Sequence, residues 1–124
     1  MSEYVNLSYL KSISEGDDNF QKEMIKIFQK QIPHFVVNMR KYLSRKENEK
    51  LMKEAHTAKS SALIFMMEET GNALKEIKQL AEKNQTEKIS SLIDQVETAL
   101  SGASRELEVY LKRIGLANLT ETKS

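Results

Sequence analysis

Apolar residues recur at intervals of three and four along almost the whole of this 124-residue chain, and one proline and four glycines are all that punctuate them. That interval is the period of an α-helix, so each apolar set lines one face of a rod. Lys, Glu, Leu, Ala, Met and Gln are abundant and Trp is absent, a composition of straight-chain residues that favours helix. An all-α fold follows. The length suits one domain with a continuous core. The absence of cysteine excludes a disulfide scaffold, thiol chemistry and any metal site built on thiolates.

Helix boundaries follow from caps and breakers. Asn6 offers an N-cap to a short first helix carrying Leu7, Leu10 and Ile13, and Glu15-Gly16-Asp17 ends it, with Asp17 capping the next. The second helix bears Phe20, Met24, Ile27, Phe28, Ile32, Phe35, Met39 and Leu43 as one apolar stripe, with a kink expected near Gln31 and Ile32 because Pro33 removes a backbone hydrogen bond. Ser44 and Glu47 have capping-box spacing and Asn48 is a second cap for the third helix, whose core face reads Leu51, Ala55, Ala58, Ala62 and Phe65 or Met66. A reversal at Glu68 to Gly71 precedes Leu74, Ile77, Leu80 and Ala81, and Thr86 caps a last helix running from Ile89 to Ile114. Four amphipathic helices with short connections pack as an antiparallel up-down-up-down four-helix bundle, the short first helix covering one end. Residues 1–115 are expected as a single domain and 116–124 as a flexible C-terminal tail.

The 19 basic and 18 acidic residues leave a net charge of +1, and they alternate along the helices, so no one-signed stripe draws the chain to nucleic acid. No apolar run approaches the roughly 18 residues that span a bilayer, and Glu3 stands where a leader would be basic. A cytoplasmic protein that engages its partners through a local patch is the expectation.

Of the two histidines, His56 turns away from the core stripe by the 100° step of the helix and should face solvent. Met52 lies four residues before it, Lys59 three after, Ser60 four after and Leu63 seven after, all on one face. An imidazole with an unperturbed pKa of about 6.5 is largely neutral at physiological pH, and its free nitrogen can attack phosphorus. Lys59 can neutralise phosphoryl oxygens, small Ser60 leaves room for another protein's loops, and Met52 and Leu63 supply an apolar surface for docking. On geometry alone, a solvated surface histidine is the commoner outcome. His34, between Pro33 and Phe35, reads as a packing or boundary residue.

The segment Ala55-His56-Thr57-Ala58-Lys59-Ser60-Ser61-Ala62 resembles the active helix of histidine-containing phosphotransfer (HPt) domains, whose pattern is Ala-His-Thr-Leu-Lys-Gly-Ser-Ala. Ala58 stands for the usual leucine and Ser60 for the usual glycine, which adds a hydroxyl where a partner approaches. The resemblance extends over roughly Leu7 to Leu111 through the order of its helices. It implies that His56 is the phosphoacceptor with Lys59 stabilising the phosphoryl group, and that Met52, Lys53, Ser60 and Leu63 meet the partner. It implies a phosphorelay shuttle between receiver domains of response regulators, fed by a hybrid sensor histidine kinase. A monomer is expected, with no cofactor of its own and any Mg²⁺ on the receiver.

Competing chemistries lack their residues. No GxxxxGK[ST] or glycine-rich loop exists for an autonomous kinase, no Glu-x-x-His pair for a di-iron bundle, and no Gly-x-Ser-x-Gly elbow for a hydrolase. The remaining alternative is a non-catalytic adaptor, a degenerate HPt bundle that binds receivers or other partners through the His56 face. Ser60 is the residue that favours it.

Overall fold

The computed structural model describes the backbone of residues 3–123 and the side chains of residues 3–115. Five helices follow one another: α1 (Ser8–Ser14), α2 (Asp18–Ser44), α3 (Asn48–Ile64), α4 (Glu68–Glu82) and α5 (Ile89–Lys123). Helix α2 packs on α3, α3 on α4, α4 on α5 and α5 back on α2, closing a four-helix bundle, while α1 lies against α2. The expected fold is the one observed. Helix α5 runs on past Gly115, and the side chains of the segment expected as a tail lie outside the described residues.

Asp17 caps α2 as expected, its carboxylate accepting from the backbone N–H groups of Asn19 and Phe20. The Asn6 carboxamide accepts from Ser8 N–H at 2.9 Å, one turn-forming step ahead of α1. The next two boundaries differ from expectation. Helix α3 starts after Glu47 with no side-chain cap, so neither the Ser44/Glu47 box nor an Asn48 cap forms; Asn48 instead donates to Asn84 across the α2–α3 and α4–α5 connections. The α3–α4 reversal falls at Phe65 to Met67, and Gly71 lies buried inside α4. Helix α5 begins at Ile89, whose N–H donates to the Thr86 carbonyl.

Helices α2, α3 and α4 all end in the same way. Lys46, Met66 and Asn84 take left-handed φ values of 58°, 57° and 57°. In each, this residue's N–H bonds back to the carbonyl three before it, and the next N–H bonds to the carbonyl five before itself: Lys46 to Leu43 and Glu47 to Tyr42, Met66 to Leu63 and Met67 to Ala62, Asn84 to Ala81 and Gln85 to Leu80. These are Schellman closures, which ordinarily use glycine at the left-handed position. A side chain there costs about 1 kcal/mol, and the bond pairs satisfy the orphan carbonyls that compensate it. No glycine marks these turns, so the α3–α4 reversal closes at Met66, ahead of Gly71.

The core takes Leu51, Ala55, Ala58, Ala62 and Phe65 from α3, Leu74, Ile77 and Ala81 from α4, and Ile89, Ile93, Val96, Leu100, Ala103 and Leu107 from α5. Helix α2 contributes Ile25, Phe28, Ile32, Phe35, Val36 and Met39, whereas Phe20 and Ile27 are 39% and 49% exposed. Six of the eight expected stripe residues, Met24, Phe28, Ile32, Phe35, Met39 and Leu43, thus lie in or against the core, and Ile25 and Val36 join them in place of Phe20 and Ile27. A buried polar chain lies at the N-terminal half of α2, where the departure occurs. Gln21, 4% exposed, sits where the expected stripe put Phe20. Its amide donates to the Ser14 hydroxyl at 3.0 Å and accepts from the Tyr110 hydroxyl at 2.7 Å, and Ser14 donates to the Lys11 carbonyl. This chain ties α1, α2 and α5 together. Phe28 and Phe65 stack with ring centroids 4.5 Å apart, joining α2 to the end of α3. Pro33 is accommodated inside a continuous α2.

Burial, and then the Asp18 charge, push the Tyr110 phenol above its ordinary pKa. A phenol that binds its proton more tightly when folded adds stability that is whole below about pH 10 and is lost as pH rises through the folded value. Tyr110→Phe leaves the buried Gln21 oxygen without its donor, so we expect a loss of about 1–3 kcal/mol at pH 7. Urea unfolding will show it, together with a shallower decline of stability above pH 10 than in the wild type.

Candidate functional site

Helix α3 is the thin member of the bundle. Its inward face is mostly alanine, with Ala55, Ala58 and Ala62 fully buried, and such small side chains let the neighbouring backbones come close. On α4, Gly71 extends this economy of volume: a Cβ there would stand 3.0 Å from Leu63 Cδ2 and 3.9 Å from Lys59 Cγ. The stems of Lys59 and Leu63 thus lie across α4. One turn further on, α4 presents Lys75 and Lys78 to the outer face of α3.

His56 is exposed between two shallow grooves. The first is lined by Glu49, Met52, Lys53, His56, Thr57 and Lys78. The second contains His56 and Lys59 with Leu74, Lys75, Lys78 and Glu82 of α4. Four lysines, Lys53, Lys59, Lys75 and Lys78, therefore share the two grooves with the imidazole, against the carboxylates of Glu49 and Glu82. Among the described residues none hydrogen-bonds to the His56 ring, so its nitrogens are open to solvent or to a partner. The cationic surroundings favour an anion beside the ring.

The structure brings Met52, Lys53 and Lys59 into the grooves that His56 lines and places Ser60 and Leu63 further along the same helix, on the flank of the imidazole. Ser60 and Leu63 line a different groove, with Tyr9 of α1, Ile64, Met66 and Glu68. The Ser60 hydroxyl donates back to the His56 carbonyl at 3.2 Å, so this polar group is engaged within α3. Thr57 does the same to Lys53, and Ser61 donates to Gln31 of α2 at 3.1 Å, fixing α3 against α2. Lys75 and Lys78 were missed in the sequence because they belong to another helix, where they look like ordinary solvated lysines.

His34 is exposed rather than packed. It borders an apolar cleft with Ile27, Lys30, Gln31, Phe35 and Glu54. Among the described residues no group of three His, Asp or Glu side chains stands close enough to hold a metal ion, and no helix is long and apolar enough to cross a membrane.

The family model described as Hpt domain matches residues 23–106, a stretch that runs from α2 into α5 and includes His56. The chain belongs to the Hpt domain family. Its role is histidine phosphotransfer in phosphorelay signalling, in which Hpt domains interact with receiver domains and kinases of two-component systems. The fold of this Hpt domain is similar to that of histidine-containing phosphotransfer protein B (HptB) from Pseudomonas aeruginosa PAO1, with a TM-score of 0.83 and 15% sequence identity over 91% of this chain and 98% of that one. At that identity the likeness concerns the fold. No curated protein sequence matches the chain.

Gly71 gives the α3–α4 spacing a direct test. Gly71→Ala should change stability by less than about 1 kcal/mol, since alanine gains helix propensity while half-exposed Leu63 gives way. Gly71→Leu should lose about 1–3 kcal/mol by overpacking. Urea melts of the two variants check both figures.

Proposed function

We propose that His56 is the phosphoacceptor of this Hpt domain and that Lys59 and Lys78 neutralise the phosphoryl group from the two helices that flank it. The observation that carries this reading is the exposed imidazole set between grooves that both include Lys78, with Lys59 in one and Lys53 in the other. A lone pair on one ring nitrogen attacks the phosphorus of an aspartyl phosphate on a receiver domain. The P–O bond to the aspartate breaks, the carboxylate leaves with the electron pair, and the proton on the other ring nitrogen stays in place, leaving a phosphoimidazolium. Running the step backwards onto a second receiver passes the group on. Such transfer asks for positioning and for neutralisation of charge on the equatorial oxygens. A rigid α3 supplies the first and the lysines supply the second. Mg²⁺ bound by the receiver would complete the charge balance from the partner's side.

Met52 and Lys53 border the imidazole and would meet the receiver first, with Ser60 and Leu63 one turn away on its other flank. The adaptor reading rested on Ser60. Its hydroxyl is bonded within α3, which leaves a small side chain beside the histidine much as glycine would. This favours the shuttle.

Incubation of the purified protein with a phosphoramidate donor, followed by intact mass, tests the proposal. One acid-labile phosphoryl adduct should form, persist in His34→Gln and vanish in His56→Gln. Lys78→Ala should slow its formation by about tenfold, the equivalent of one lost charge-assisted hydrogen bond to the phosphoryl oxygens. A folded wild type that gains no adduct would move the assignment to the adaptor.

A further inference from the structure

The groove lined by Glu49, Met52, Lys53, His56, Thr57 and Lys78 has a volume of about 490 Å³, within the roughly 300–1,000 Å³ of small-molecule sites. Its walls are mostly carbon. Met52, packed partly against the core, forms one apolar wall. The Thr57 hydroxyl donates to the Lys53 carbonyl at 3.1 Å, so this side chain brings no free polar group to the groove. The His56 ring borders this apolar space on one side and the lysine-lined groove on the other.

The charge beside the ring is uncompensated. Among the described residues, Lys53, Lys59, Lys75 and Lys78 form no ion pair with a carboxylate, although Glu49 and Glu82 border the same grooves. Four ammonium groups against two carboxylates favour a dianion at the imidazole. Positive charge and carbon walls thus meet at one nucleophile. An anion with a short apolar tail matches both, whereas a bare phosphate uses only the first. The phosphoaspartate of a receiver is itself an acyl phosphate, and a free acyl phosphate presents the same reacting bond without a protein around it.

We propose that His56 also takes its phosphoryl group directly from small acyl phosphates, with the phosphoryl oxygens among Lys59, Lys75 and Lys78 and the acyl chain against Met52 and Thr57. The proposal rests on the phosphorelay reading of His56 and adds a class of donor that needs neither kinase nor receiver. A lone pair on one ring nitrogen forms the N–P bond, the P–O bond to the acyl group breaks, and the carboxylate leaves with the electron pair. The other ring nitrogen keeps its proton, so atoms and charge balance without a further reactant. Holding both halves of the donor sets the reacting bond over the imidazole, a placement that a freely colliding donor lacks. Because the grooves are shallow and open, the donor binds weakly.

The test incubates the full chain with acetyl, propionyl or butyryl phosphate, and with phosphoramidate as a donor that has no acyl chain, following intact mass against time and concentration. Each acyl phosphate should give one acid-labile phosphoryl adduct, absent from His56→Gln, at rates that saturate with a KM of roughly 1–10 mM. A fully buried methylene contributes about fourfold. In this open groove kcat/KM should rise about twofold per added methylene, hence about fourfold from acetyl to butyryl. In Met52→Gln that ratio should fall to about one, a comparison within one variant that cancels any general loss of activity. The chain-length series on the wild type decides the matter if this variant does not fold. Labelling by phosphoramidate with none by any acyl phosphate overturns the proposal and leaves His56 as the phosphoacceptor. So does an acyl adduct in place of the phosphoryl one, which differs in mass and reports attack by a lysine on the carbonyl carbon. Rates that rise linearly without saturation, or that ignore chain length, overturn the binding of the acyl chain in the groove. If phosphoramidate, the acyl phosphates and a phosphorylated receiver all fail to label the wild type, the phosphorelay reading itself falls.

Discussion

The close approach of α3 to its neighbours is the constraint on which the rest of this molecule depends. Ala55, Ala58 and Ala62 carry so little volume inward that α2 and α4 close on the helix backbone, and Gly71 lets α4 lie against the stems of Lys59 and Leu63. A bulkier core face would move α4 away, and with it Lys75 and Lys78. The proximity of two helices, rather than any feature of the α3 sequence alone, assembles the cationic surround of His56. Packing at close range and the chemistry of the surface are in this way one property.

Polar interactions supply what the alanine-rich packing leaves unspecified. Helix α2 buries most of its apolar residues, but at its N-terminal half Phe20 and Ile27 stay exposed while Gln21 is buried. Burying Gln21 is tolerable only with both ends of its amide paired, and Ser14 and Tyr110 supply those partners at the meeting of three helices. That network ties α2 to α1 and α5 at this end of the bundle. Arg40, bonded to Asp94 and Glu97 at 2.9 Å and 2.7 Å, adds an exposed link between α2 and α5 whose contribution is small. Glu106 does for the N-terminal arm what Gln21 does for α2, using a charge where the arm has few apolar side chains to bury.

Turn geometry sets where the functional face ends. Met66 occupies a left-handed backbone position that closes α3, and its side chain stays out of the core that its neighbours Phe65 and Met67 enter. The same closure recurs at Lys46 and Asn84, so the bundle meets its length limits by hydrogen bonding rather than by glycine. At Met66 the strained residue also borders the groove beside Ser60. Backbone strain and exposed apolar surface coincide at this edge of the reactive face.

The periodicity of apolar residues determined the helical class, the number of helices and the outward direction of His56, because these depend on local geometry repeated every few residues. Asp17 as a cap and Ala55, Ala58 and Ala62 as core were legible for the same reason. The motif around His56 also identified the family, since its pattern lies within one helix. Tertiary structure alone decided that Phe20 and Ile27 of α2 face outward, where α3 reverses, and that Lys75 and Lys78 stand beside the histidine face while Ser60 and Leu63 border a neighbouring groove with Tyr9. Those outcomes turn on buried hydrogen bonds, interhelical distance and left-handed turns between residues remote in sequence. A period of three to four residues carries no information about them.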